Sequence, residues 1–272
     1  MGSAPIVVTG GTGTLGRAVV SEIERRGHRV RVLSRSPTPP SLPAGREWAS
    51  ADLLTGDSAD VARAFAGAET VVHCATTLNG DRDVTVAQQV LAACAAAGVR
   101  HFVLVSIVGI DRIPLAYYRG KLEVERLVAA SGVPATIQRA TQFHDLVRAL
   151  FAQLSRLPVL FVPDVNFQSV DVADVAARLA DVACRGPQGR VADVGGPRVD
   201  CSLDMARAFV AASGLRRKIA PVRLPRFLQR GAVRAIADGG NLVDDGAPRG
   251  TTTFADYLSA HPAPAAREYR NA

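Results

Sequence analysis

Short β-rich runs and helical runs alternate along the first half of this chain, and few folds accept that pattern. Pro5–Thr9 (PIVVT) reads as a strand. Thr14–Arg26 reads as a helix, with Leu15, Ala18, Val19 and Ile23 at helical spacing. The alternation then predicts strands over Arg29–Leu33, Glu47–Ser50, Glu69–His73, Arg100–Ser106 and Ala135–Gln138. Between them it predicts helices over Ser58–Ala66, Val84–Ala97 and Leu115–Ala130, closed by Gly67, Gly98 and Gly132. The strands are nearly continuous apolar runs, as expected when helices cover both faces of a sheet. Right-handed crossovers then give an α/β, doubly wound parallel sheet.

The pattern loosens after about residue 140. Helices are expected over Phe143–Leu154, Val172–Ala183 and Leu203–Ala212, the last with Ser202 as its N-cap, and a strand near Arg190–Val194. No assignment is made over Pro221–Thr253. We expect residues 1–155 to form the core and residues 156–272 a smaller C-terminal lobe on the substrate side, packed on that core as one structural unit.

Bulk properties narrow the function classes. The net charge is +7, from 32 Lys and Arg against 25 Asp and Glu. The basic residues are scattered, Arg216-Arg217-Lys218 is the only triple, and no aromatics interleave with them for base stacking, so nucleic-acid binding is not expected. No apolar run reaches the ~20 residues of a membrane span. The opening MGSAPIVVTG lacks a basic region followed by a long apolar stretch, and the predicted location is cytoplasmic. Cys74, Cys94, Cys184 and Cys201 form no metal-ligand spacing and are expected as buried free thiols, with no metal site.

The turn after the first strand reads Gly10-x-x-Gly13-x-x-Gly16 and opens a helix. In that setting the glycines permit a tight turn, close approach of a pyrophosphate to the backbone, and close helix–sheet packing. Thr12 in the turn, with Thr14 and Leu15 in the first helical turn, offers backbone N–H groups to an anion. This is the Rossmann dinucleotide pattern. At the end of the second strand stands Ser34-Arg35-Ser36, with no carboxylate to hold a ribose 2′-hydroxyl. An arginine and hydroxyls there suit a 2′-phosphate, so NADP(H) is preferred over NAD(H).

Tyr117 and Lys121 lie four apart, on one face of a predicted helix, and Ser106 ends the preceding strand. Hydride addition to a carbonyl needs a proton donor. A phenol beside an ammonium supplies one nearer neutral pH, and a serine hydroxyl can hold the substrate oxygen. Tyr118, three before Lys121, is an alternative phenol. Gly120, costly inside a helix, points to close approach of a cofactor or a neighbouring strand.

Together TGGTGTLG, Asp52 of SADL, HCATT, VSIVGIDR, YYRGK, FQSVDVADVA and VADVGGP resemble the short-chain dehydrogenase/reductase superfamily, in its atypical NmrA-like, NAD(P)H-binding branch. The resemblance covers about residues 4–215. It implies that Asp52 and Leu53 line the adenine. Cys74, Ala75 and Thr76 would pass beside the nicotinamide ribose, with Ser106, Tyr117 and Lys121 as the catalytic set. The segment Arg139–Phe143 would flank the nicotinamide, with Ala140, Thr141 and Phe143 as contacts. Ala140 stands where members often have proline. The expected activity is NADPH-dependent reduction of a carbonyl or conjugated carbonyl in a small, fairly apolar molecule, with Phe143, His144 and Val147 toward the substrate. The branch also holds NADP-sensing regulators without chemistry and epimerase or dehydratase members that retain their cofactor. The helices over 84–97 and 115–130 are candidate faces for a homodimer.

Overall fold

The computed structural model describes residues 4–223 and 225–262, so the opening Met1–Ser3 of the targeting argument lies outside the described residues. In chain order the first elements are β1 (Ile6–Thr9), α1 (Thr14–Arg25), β2 (Val30–Ser34), β3 (Arg46–Ser50), α2 (Ser58–Phe65) and β4 (Thr70–His73). Next come α3 (Gly80–Ala96), β5 (His101–Ile107), α4 (Ala116–Ala130), β6 (Ala135–Ala140), α5 (His144–Leu154), β7 (Val159–Pro163) and β8 (Asn166–Phe167). The last are α6 (Val172–Arg185), β9 (Gly189–Arg190), β10 (Asp200–Cys201), α7 (Ser202–Ala212), β11 (Lys218–Val222), α8 (Gly231–Ala237) and α9 (Phe254–Ala260).

One sheet runs β3-β2-β1-β4-β5-β6-β9, with β1 hydrogen-bonded in parallel to both β2 and β4. Strand order therefore reverses at β1, and in open α/β sheets ligands bind beyond the carboxyl ends of the strands at such a switch point. The register pairs Val8 with Val32 on one side and with Val72 on the other. These strands are almost wholly buried, which explains their unbroken apolar sequences.

The chain does not divide at a single point. The described residues of 1–106, 116–139 and 176–191 form one compact unit, and those of 107–115, 140–175 and 192–272 a second. Most of α6 belongs to the first unit because it leads back to β9, which pairs in parallel with β6. A parallel return of that kind needs a crossover, usually a helix. The first unit's core gathers Val7, Leu33, Phe65, Val90, Phe102 and Leu104 beneath α2, α3 and α4. The second unit has its own core around Phe151, Leu160, Phe209 and Phe254.

Several expectations need correction here. Cys201, not Ser202, is the N-cap of α7, and the Ser202 hydroxyl instead donates to the Pro163 carbonyl. The strand near 190–194 shrinks to Gly189–Arg190, followed by an isolated Ala140↔Val194 bridge. Only Cys94 of the four free cysteines is buried; Cys74 and Cys201 are half-buried and Cys184 is exposed. Gly120 does face a close backbone, and it belongs to a helix, not a strand. A Cβ there would run into Gly80 at the start of α3.

Candidate functional site

The glycine turn is built by exclusion of side chains. Gly10 takes φ +63°, a left-handed conformation that suits glycine, and a Cβ on it would lie 2.8 Å from the Ala75 backbone. The ends of β1 and β4 thus meet where the strand order reverses. A Cβ on Gly16 would run into the Gly10 carbonyl oxygen. Gly13 is the N-cap of α1 in extended conformation, and no side chain caps that helix end. The first N–H groups of a helix have no partners within it, so this end suits an anion. The fit to a dinucleotide rests on this cradle of bare backbone.

The end of β2 lies beside it. Ser34 is buried, its hydroxyl 3.2 Å from that of Thr12 and 3.2 Å from the Ser36 amide that donates to it. Ser34 therefore ties the second strand to the glycine turn. Arg35 and Ser36 are exposed. Arg17 donates to the Thr12 carbonyl at 2.7 Å. Trp48, which sequence reasoning missed, donates its indole N–H to the Ser36 carbonyl at 3.1 Å. The signal for it was its place on the neighbouring strand, where Val32 pairs with Trp48.

Asp52 spends its carboxylate on its own turn. The amides of Leu54 and Thr55 donate to Oδ1 at 2.8 and 3.3 Å. These bonds, the Leu54 amide foremost, and the charge of Arg35 hold the Asp52 carboxyl below its usual range. The Leu53 side chain is buried in the core, so the adenine-lining role expected for it does not extend to its side chain.

Beyond β4 the turn Cys74-Ala75-Thr76 is held by Thr9, whose carbonyl and hydroxyl receive the amides of Cys74 and Ala75. Burial pushes the Cys74 thiol up to about 12, against the pull of the Lys121 charge, so it is no thiolate nucleophile at neutral pH. His73 is buried with Nδ1 2.8 Å from the Thr9 hydroxyl, and desolvation with the Lys121 charge lowers it to about 3.

Ser106, Tyr117 and Lys121 belong to the same compact unit. Ser106 is 3% exposed, and its hydroxyl oxygen is buried without a hydrogen-bond partner among the described residues. A buried unpaired hydroxyl costs about 1–3 kcal/mol, which a bound oxygen would offset. Lys121 is buried on α4. Desolvation lowers its pKa, while Asp83, Cys74 and Glu125 act to raise it. The Tyr117 hydroxyl lies 3.0 Å from that of Thr76. Tyr118 is also half-buried, its ring centroid 6.4 Å from that of Tyr117. One turn beyond Lys121, Glu125 receives two hydrogen bonds from Arg139 at 2.8 and 2.7 Å, a buried bidentate pair. Arg139 is thus fixed within the first unit.

The remaining expected contacts lie in the second unit. Ala140 and Thr141 are buried, and the Thr141 hydroxyl donates to the Gln168 carbonyl at 2.5 Å. Phe143 is the half-buried N-cap of α5. His144 and Val147, expected to face substrate, are core residues. The His144 ring is fully buried, engaged by the Ser169 hydroxyl at 2.9 Å and the Thr252 carbonyl at 3.0 Å, and packed against Phe254 and Tyr257. Val147 sits in the same unit's apolar cluster. The helical spacing that suggested a pocket wall is that of a core face. No group of His, Cys, Asp and Glu among the described residues could hold a metal ion. No helix among them is long and apolar enough to cross a membrane.

Comparison with known proteins agrees with this geometry. A family model described as NAD(P)H-binding matches residues 10–183. The chain is 31% identical over 208 residues to (4-alkanoyl-5-oxo-2,5-dihydrofuran-3-yl)methyl phosphate reductase of Streptomyces griseus, covering 71% of this chain and 68% of that one. It is 25% identical to quinone oxidoreductase 2 of Escherichia coli, over 77% of this chain and 74% of that one. Against three further curated relatives it spans only 54–57% of their length. The crystal structure of the Escherichia coli NADPH-dependent quinone oxidoreductase complexed with NADPH superimposes with a TM-score of 0.73, at 23% identity, over 94% of this chain and 99% of that one. From the glycine cradle, the strand order and these matches, the chain belongs to the NAD(P)H-binding family and is an NAD(P)-binding oxidoreductase.

Proposed function

We propose that the protein is an NADPH-dependent reductase of a carbonyl or conjugated carbonyl in a small, fairly apolar molecule. The observation that carries this reading is the buried, unpartnered hydroxyl of Ser106 in the unit that also holds Tyr117 and Lys121. The reduced nicotinamide supplies the hydride. The main-chain amides at Gly13–Gly16 hold the pyrophosphate, and Lys121 positions the nicotinamide ribose. Ser106 gives its hydrogen bond to the substrate oxygen, satisfying a group that the described residues leave unpaired. As charge develops on that oxygen, the Tyr117 O–H bond breaks and its proton passes to the oxygen. The Lys121 ammonium stabilises the phenolate left behind, which water then reprotonates. Arg35 and Ser36, exposed at the end of β2, favour a 2′-phosphate, and NADPH is preferred over NADH.

The test is oxidation of NADPH, followed by absorbance, with a panel of ketones, enones and quinones. Turnover with at least one class is expected, and Tyr117→Phe should lower kcat by about a hundredfold or more. Arg35→Ala should weaken NADPH binding about tenfold while sparing NADH. Tight NADPH binding with no turnover across the panel would replace this reading with that of a nucleotide sensor.

A further inference from the structure

One buried carboxylate outside the residues assigned so far reaches the candidate phenol through a single hydroxyl. Asp83 stands in the first turn of α3 and is 4% exposed. Its Oδ1 accepts from the Thr77 amide at 2.6 Å and the Thr77 hydroxyl at 2.7 Å. Its Oδ2 accepts from the Thr76 hydroxyl at 2.6 Å. A carboxylate only accepts, so the Thr76 hydrogen is committed to Asp83. The Tyr117 oxygen, 3.0 Å from the Thr76 oxygen, therefore meets lone pairs, and Tyr117 is the donor in that bond. The chain Tyr117 → Thr76 → Asp83 has one direction, and the charge at its end sets it.

We infer that Asp83 is a positioning residue that fixes the polarity of this hydroxyl chain and so keeps Tyr117 protonated until its O–H turns from Thr76 to the substrate oxygen. Its consequence for catalysis rests on the reading of Tyr117 as proton donor; the hydroxyl chain itself does not. The ionisable surroundings are mixed. Lys121 and Glu125 stand on α4, His73 ends β4 and Cys74 follows it, with Asp83 on α3. Asp81, Arg119 and Glu123 rim the groove between α3 and α4 that Tyr117 also lines, and Tyr118 is adjacent. Among them the Lys121 charge favours a phenolate. The oriented Thr76 hydroxyl favours the phenol, as does the negative charge of Asp83. A reductase that must deliver a proton needs this opposition, because an ammonium alone would strip the donor of the proton it is to give.

Local geometry supports a built turn. Thr76 and Thr77 also accept from the amides of Leu78 and Asn79, at 3.2 and 3.3 Å. Leu78 takes φ +58°, the one non-glycine residue in the left-handed region among the described residues. That conformation costs about 1 kcal/mol or more for a leucine. The turn tolerates it while bringing both threonines onto one carboxylate.

The experiment needs neither substrate nor cofactor. Phenolate formation is followed by ultraviolet absorbance during alkaline titration of the full chain, which has four tyrosines. The difference between the parent protein and Tyr117→Phe isolates the Tyr117 titration. Asp83→Asn and Thr76→Val, each paired with its own Tyr117→Phe control, should lower that midpoint by about one pH unit, whereas Thr76→Ser should leave it in place. Unchanged midpoints in Asp83→Asn and Thr76→Val would overturn the inference. If Asp83→Asn does not fold, Thr76→Val decides alone, since it preserves both bonds from Thr77. A parallel readout is the alkaline limb of kcat for NADPH oxidation with cyclohexenone, which should move down with the same two variants. Full turnover by Tyr117→Phe would sink the proton-donor reading, and the absorbance titration would still judge the Asp83 chain.

Discussion

Two glycines bear most directly on cofactor binding, because each occupies a position with no room for a methyl group. Gly16 packs against the Gly10 carbonyl, so Gly16→Ala must open the turn proposed to cradle the phosphates. We expect that variant to lose at least about a hundredfold in NADPH affinity, equivalent to about 2.7 kcal/mol, as measured by fluorescence titration. Gly10→Ala should behave alike, with added strain from its positive φ. These positions were legible in the sequence because glycine spacing has a direct steric meaning after a strand. Asp83 was not legible. Nothing in DRDV distinguishes it from the neighbouring Asp81, and only the fold shows that one carboxylate collects three donors from a turn behind it.

At the scale of elements, the alternating half of the chain was readable within a residue or two at most boundaries, because buried parallel strands and amphipathic helices leave different apolar periods. The β7–β11 pair was not. Val159–Pro163 and Lys218–Val222 are short and proline-containing, and they pair across more than fifty residues of sequence. Non-local pairing of that kind leaves no periodic trace. Nor was α9 foreseen, although Thr253 and Asp256 form a complete capping box in the sequence TFAD. The polar tie between α4 and β6 was equally hidden, since Glu125 and Arg139 read singly as solvated charges. Their ion pair is buried, and removing the Glu125 charge breaks a charge-assisted bidentate bond inside the core. Glu125→Gln should therefore destabilise the protein by about 3 kcal/mol in urea unfolding, well beyond the ~1 kcal/mol ceiling of an exposed pair. The contact of α3 with α4 at Gly80 and Gly120 makes a second prediction. Gly120→Ala should lower the thermal midpoint even though alanine is the better helix former, because the helices must separate to admit its Cβ.

Across the whole molecule, three histidines are buried and held below their ordinary pKa by desolvation: His73, His101 and His144. Each is a base that the folded chain keeps neutral, so below about 6.5 the unfolded chain binds protons that the folded one refuses. Stability from these groups is complete above that value and falls on acidification. For His73 the fall continues to about 3, costing about 2 kcal/mol by pH 5 from that residue alone. Urea unfolding at neutral pH and at pH 5 should show the loss, and His73→Gln should shrink it; a flat profile would contradict the burial of these rings.

The single tryptophan of the chain hangs its indole on the carbonyl of Ser36, next to the arginine proposed to receive the coenzyme's 2′-phosphate. On the proposed binding mode, the molecule thereby carries an intrinsic optical gauge at the end of the nucleotide that is farthest from the chemistry. Quenching of Trp48 emission would register docking of the adenosine half, independently of whether any hydride ever moves.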